Sequence, residues 1–217
     1  MKTAVYTLIA LTAFAANSIL CRLALGDESI DPAGFTIIRL SSGAITLVCL
    51  LMITNVLKKP SAQHADRKLK ITATQMSGSW IAAIALLIYA IAFSYAYVLL
   101  DTGTGALILF ACVQVSLIIF AILKGQQLNL REWVGLCMAF TGFAYLVFPA
   151  LSKPSEVGLI LMMIAGIAWS IYTIKGKESP QPLADTAWNF VRTLPFLGLL
   201  TAGVIDDMHL SIEGVVY

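Results

Sequence analysis

Seven apolar runs, each close to 20 residues long, decide what this chain can fold into. They cover roughly 4–25, 33–57, 76–100, 103–123, 133–151, 157–174 and 186–205. A helix needs about 20 apolar residues to cross a bilayer. Lipid offers no partner for an unpaired backbone group, so runs of this length span as α-helices. The runs are continuously apolar rather than alternating, which argues against a β-barrel. Of the 217 residues, 59% are hydrophobic and 12% charged, against about 25% charged in a soluble domain. That excess cannot hide in a water-soluble core, so an all-α polytopic membrane protein of about seven transmembrane helices is expected. No basic, aromatic-interleaved patch points to nucleic acid. The expected partners are the lipid bilayer and a small-molecule substrate, and a homodimer is compatible with the sequence.

Lysine and arginine placement sets the orientation. With the N-terminus inside, Lys2, Lys58, Lys59, Arg67, Lys68, Lys70, Lys124, Arg131, Lys175 and Lys177 all fall on the inner side, and Lys153 alone falls outside. Asp27, Glu28, Asp31, Asp101, Glu156, Asp206, Asp207 and Glu213 make the outer side acidic. The charge split predicts a multi-pass protein of the inner membrane with a cytoplasmic N-terminus. The opening MKTAVYTLIALTAFAANS looks like a secretory signal. However, its apolar character continues past Ala13-Phe14-Ala15, so it reads as the first helix. The polar, basic connection 58–75 reads as an inner loop that sets topology.

An internal repeat organises the chain. A shift of 153 residues pairs Arg39 with Arg192, Ala15 with Ala168, Asn17 with Ser170 and Arg22 with Lys175, without a gap from Leu8/Leu161 to Leu47/Leu200. A cation inside a span is costly, so two at matched positions indicate a duplicated unit. The unit holds five spans. An odd number inserts the second copy upside down, a pattern of secondary transporters. Residues 1–151 are read as one complete five-helix repeat and 152–217 as the start of an inverted second.

Arg39 and Arg192 each lie about six residues inside the start of a predicted helix, roughly 9 Å deep at the helical rise. Each either snorkels to the head groups or hydrogen-bonds between helices, or else binds an anionic group of the substrate directly. Asn17, Ser18, Trp169, Ser170 and Tyr172 mark the first and sixth helices, Trp80, Tyr89, Ser94 and Tyr95 the third, and Gln114 and Ser116 the fourth. Polar side chains in spans face the bundle or a wet cavity. Asn17, Arg39, Trp80, Tyr89, Gln114, Trp169, Ser170 and Arg192 are the candidates for a substrate cavity near the midplane. Its aromatic walls would suit a small organic solute better than a bare ion.

Enzymatic readings find little support. Asp101-Thr102-Gly103 is one aspartic-protease-like triplet where that chemistry needs two carboxylates, and Gly103 and Gly105 read instead as a turn between helices. No Walker A loop, H-E-x-x-H or G-x-S-x-G occurs. Cys21, Cys49, Cys112 and Cys137 lie in apolar runs without a C-x-x-C pair. His64 and His209 lie in polar connections, so neither a metal nor a cofactor is expected. All 12 acidic residues fall in loops or at helix ends, which argues against a membrane-embedded proton carboxylate. A seven-helix receptor is disfavoured by the cytoplasmic N-terminus, and a retinal protein by the lack of a lysine in 186–205.

The stretches AFAANSILCRLAL and IDPAGFTIIRLSSGAITL, the run from YAYVLLDTGTG to FTGFAYLVF with Gly125, Leu128, Trp133, Gly135 and Gly142, and GLILMMIAGIAWSIYTIKGK with Trp169 together resemble EamA-type transporters of the drug/metabolite transporter superfamily. The resemblance covers nearly the whole chain. It implies ten helices in two inverted five-helix halves that rock around a central cavity. It also implies an exporter-type carrier for a small metabolite such as an amino acid or related compound. Gln126 stands where the family often has an acidic residue. SIEGVVY at 211–217 reads as the opening of an eighth helix, so three helices of the implied second half are absent. Transport by these 217 residues alone is not expected.

Overall fold

The computed structural model describes residues 2–26, 30–57, 77–147, 155–177 and 179–204. They form seven helices: α1 (Lys2–Gly26), α2 (Pro32–Leu57), α3 (Trp80–Leu99), α4 (Thr102–Leu123), α5 (Leu130–Val147), α6 (Glu156–Lys177) and α7 (Pro182–Val204). The connection 58–75, both histidines and the segment 205–217 lie outside the described residues. Among the described residues, five helices are long and apolar enough to cross a membrane: α1, α2, α3, α4 and α6. The other two are more polar by sequence. α5 opens on Arg131 and Glu132, and α7 carries Asp185, Asn189, Arg192 and Pro195 along its length. The fold is that of an all-α polytopic membrane protein.

Helix boundaries follow local chemistry. Asp31 caps α2, its Oδ1 accepting the N–H groups of Ala33 and Gly34 at 2.9 and 2.8 Å, with Pro32 at the first helical position, where a missing N–H costs nothing. Asn129 and Glu132 begin α5, where Glu132 Oε2 accepts the Asn129 N–H at 2.7 Å, half of a capping box. Gly103 and Gly105 are not turn residues. Both lie in the first turn of α4, and the bend falls at Leu100 and Asp101. A Cβ on Gly105 would meet Met162 Cε at 3.1 Å, so this glycine serves helix packing.

α3 is the core of the bundle. Its small residues Ala82, Ala83, Ala85, Ala90, Ala92 and Ala96 are buried, and small side chains let backbones approach where lipid supplies no hydrophobic drive. Phe93, Tyr97, Leu86, Leu40 and Met162 fill the centre. Between α2 and α3 the Thr36 hydroxyl donates to Ser94 Oγ at 2.8 Å, and Ser94 Oγ donates to the Ala90 carbonyl at 2.8 Å. Large apolar residues such as Val56, Leu57, Leu123, Leu130 and Leu199 point outward, as expected of side chains that face lipid.

Contacts fix the helix directions. The Arg22 Nη1 near the end of α1 donates to the Tyr97 carbonyl near the end of α3 at 3.2 Å, so these two helices run parallel. Gly158 near the start of α6 sits against Leu99 and Leu100 at the end of α3, so α6 runs antiparallel to it. Thr36 and Arg39, early in α2, reach Ser94 and Tyr89, whereas Asn189 and Arg192, early in α7, reach the residues that precede α3. α2 is therefore antiparallel to α3 and α7 parallel to it. Each helix of the pair α6–α7 runs opposite to its counterpart in the pair α1–α2.

Candidate functional site

Tyr89, Phe93 and Tyr97 recur every four residues on α3 and so share one face. Their rings stack along it, with centroids 5.3 Å apart from Tyr89 to Phe93 and 4.4 Å from Phe93 to Tyr97. Trp169 of α6 meets Tyr89 at 4.7 Å and Tyr172 at 5.4 Å. Phe14 of α1 stands edge-on to Trp169 at 6.2 Å and to Phe110 of α4 at 6.0 Å. Phe14, Asn17, Ser18, Tyr89, Phe93, Leu109, Phe110, Val113 and Trp169 line a cleft between α1, α3, α4 and α6. Tyr89, Leu109, Phe110, Val113 and Trp169 lie towards the middle of their helices, near the depth expected for the midplane. In this state the side chains nearly close the cleft, leaving room for about one water.

Arg39 braces this cleft from behind. Its guanidinium carbon lies 5.4 Å from the Tyr89 ring centre and 5.0 Å from that of Phe93, and its Nη2 donates to the Tyr89 hydroxyl at 3.2 Å. The cation is held by ring quadrupoles and one hydrogen bond. Its Nη1 is buried without a hydrogen-bond partner among the described residues. Because the Tyr89 oxygen accepts from Arg39, its own proton is free to donate to a ligand. The pair thus presents a positively polarised donor beside an otherwise apolar wall.

The predicted cavity residues separate into groups. Asn17, Tyr89 and Trp169 line the cleft, and Arg39 backs it. Ser170 is buried and its hydroxyl is spent on the carbonyls of Gly166 at 2.9 Å and Val113 at 3.2 Å, tying α6 to α4. Gln114 is exposed on α4, one position beyond the lining Val113. Trp80 and Arg192 stand at the other end of α3, where they pack on each other at 5.6 Å. Arg192 lies ten residues into α7, because the helix begins at Pro182 rather than near 186. Neither arginine is a free snorkelling side chain. Sequence reasoning missed Phe14 and Phe93, although the spacing of Tyr89, Phe93 and Tyr97 on one helical face was there to be read. It also missed Asn189, three positions before Arg192 and buried inside α7.

A bundle of long apolar helices around an aromatic cleft is compatible with a small-molecule carrier. The EamA-like transporter family matches residues 1–148, and the chain belongs to that family of membrane transporters. An uncharacterized protein of Pseudomonas aeruginosa is 42% identical over 216 residues, spanning 100% of this chain and 70% of that protein. An uncharacterized transporter of Archaeoglobus fulgidus is 24% identical over 182 residues, covering 82% of this chain and 59% of that protein. No solved structure matches the chain.

Proposed function

We propose that this chain is part of an exporter-type carrier that moves a small organic metabolite, an amino acid or related compound, by alternating access through the aromatic cleft. The observation that carries the reading is the cleft itself, built from α1, α3 and α4 on one side of the repeat boundary and α6 on the other. Residues 1–151 form one repeat in this reading, and 152–217 begin the second. The opposite running directions of α1–α2 and α6–α7 support that division. The charge asymmetry supports an inner-membrane location with a cytoplasmic N-terminus. A nearly filled cleft fits an occluded state that must open to load.

Trp169 and Tyr89 would face the solute, with Asn17 and the Tyr89 hydroxyl supplying polar contacts. The test is ligand binding by the purified chain in nanodiscs, read by tryptophan fluorescence across a panel of amino acids and related metabolites. At least one compound is expected to change the emission. Trp169→Ala should weaken its binding about tenfold, equivalent to about 1.4 kcal/mol and within the range for losing one aromatic face. A bound compound whose affinity is indifferent to Trp169→Ala, Asn17→Ala and Tyr89→Phe would place the solute elsewhere.

A further inference from the structure

α7 holds the backbone that leads into α3. Arg192 Nη1 donates to the Ser77 carbonyl at 2.8 Å, and Asn189 Oδ1 accepts the Ser79 N–H at 2.9 Å. Gly78 sits between these ties with φ +90°, in the region glycine enters without steric cost. A Cβ there would stand 2.6 Å from Arg192 Nη1, 2.6 Å from Asn189 Oδ1 and 3.0 Å from the Asp185 carbonyl oxygen. Trp80 packs over the Arg192 guanidinium, with Phe196 edge-on to it at 6.5 Å. Ser77 to Trp80 thus form a strap laid on α7, and the two side chains that hold it are buried.

The strap lies at the end of the bundle where α3 and α7 both begin, the end that the charge pattern assigns to the cytoplasm. It joins a helix of the first repeat to a helix of the second. The same 153-residue shift that pairs the arginines pairs Asn189 with Thr36 and Arg192 with Arg39. Among the described residues those counterparts bond within the α2–α3 pair. Thr36 bonds Ser94 within the helix pair, and Arg39 bonds Tyr89. At the end where α3 and α7 begin, the two helices are tied through Ser77 and Ser79.

We propose that Arg192, Asn189 and Gly78 form a releasable latch that closes the cytoplasmic end between the repeats, and that this structure is the cytoplasm-closed state. The inference rests on the alternating-access reading, since a static bundle needs no latch. The ties suit release. They grip backbone atoms of a short non-helical segment, which water can satisfy when the end opens, and they leave the helix ladders of α3 and α7 intact.

The test is a pulsed electron spin resonance distance between labels at Ile81→Cys and Gln181→Cys, both exposed, on the chain with its four native cysteines replaced, in nanodiscs. The parent should give one short, narrow distribution. Gly78→Ala and Arg192→Gln should each raise a second, longer component at least about threefold, the signature of a shifted two-state population. A folded variant that keeps the parent distribution overturns the latch, and either variant decides by itself if the other fails to fold. Loss of the fold in both would make the strap a plain structural contact and would equally overturn the proposal. Ligand binding at the cleft, measured on the same parent sample, reports separately on the carrier reading.

Discussion

Gly166→Leu will melt far below the parent in detergent or fail to accumulate in the membrane. Gly166 lies where α6 crosses α4. An added Cβ there would stand 2.6 Å from Cys112 Cβ and 3.1 Å from the Leu109 carbonyl. Neither neighbour is the far end of a flexible side chain, so the two helices must part. Overpacking a well-filled core costs about 1–3 kcal/mol, and here the separation also breaks the Ser170 hydroxyl contact with Val113. Gly166→Ala should sit at the low end of that range and Gly166→Leu at or beyond the high end. By contrast, Gly176→Ala, with nothing within 4 Å of its added Cβ, should melt with the parent. Equal melting of the parent and Gly166→Leu would mean that α4 and α6 do not touch in the membrane.

Arg39→Met is expected to separate function from stability. A buried cation costs several kcal/mol of lost hydration. Against that, Arg39 recovers one hydrogen bond to Tyr89, worth about 1.5–3 kcal/mol for a charged donor, and cation–π attraction of about 0.5–2 kcal/mol. One of its nitrogens recovers nothing among the described residues. Arg39 is half-buried, so the desolvation term roughly offsets the gain and the variant should melt close to the parent. The Tyr89 hydroxyl would lose its polarising partner, and affinity for the cleft ligand should fall about tenfold. A large drop in melting with unchanged affinity would reverse that assignment, making Arg39 a brace for the α2–α3 pair.

The helices were legible because lipid imposes one rule on every spanning segment, and the apolar runs announce it. Their ends were less so. The third apolar run starts near residue 76 by sequence, whereas the helix starts at Trp80. Hydropathy carries no information about the left-handed Gly78 or the side chains that grip it. Likewise, the last apolar run starts near 186, whereas α7 starts at Pro182, since Pro182 and Asp185 both suit a first helical turn. The matched arginines were visible as a pair, but not that one would brace an aromatic wall and the other a backbone strap. Which helix each arginine meets depends on packing between segments far apart in sequence, and Ser77 and Arg192 are separated by 115 residues. Periodicity within one helix can place a side chain on a face. It cannot name the neighbour.

Opposed traverse of the matched helices is the claim on which the cleft, the latch and the carrier reading all stand. Its most direct test labels single cysteines at Thr3→Cys, the start of α1, and Ser155→Cys, just before α6, with a membrane-impermeant maleimide in cells and in inverted vesicles. Thr3→Cys is expected to react only in inverted vesicles and Ser155→Cys only in intact cells. Reaction of both from the same side would contradict it.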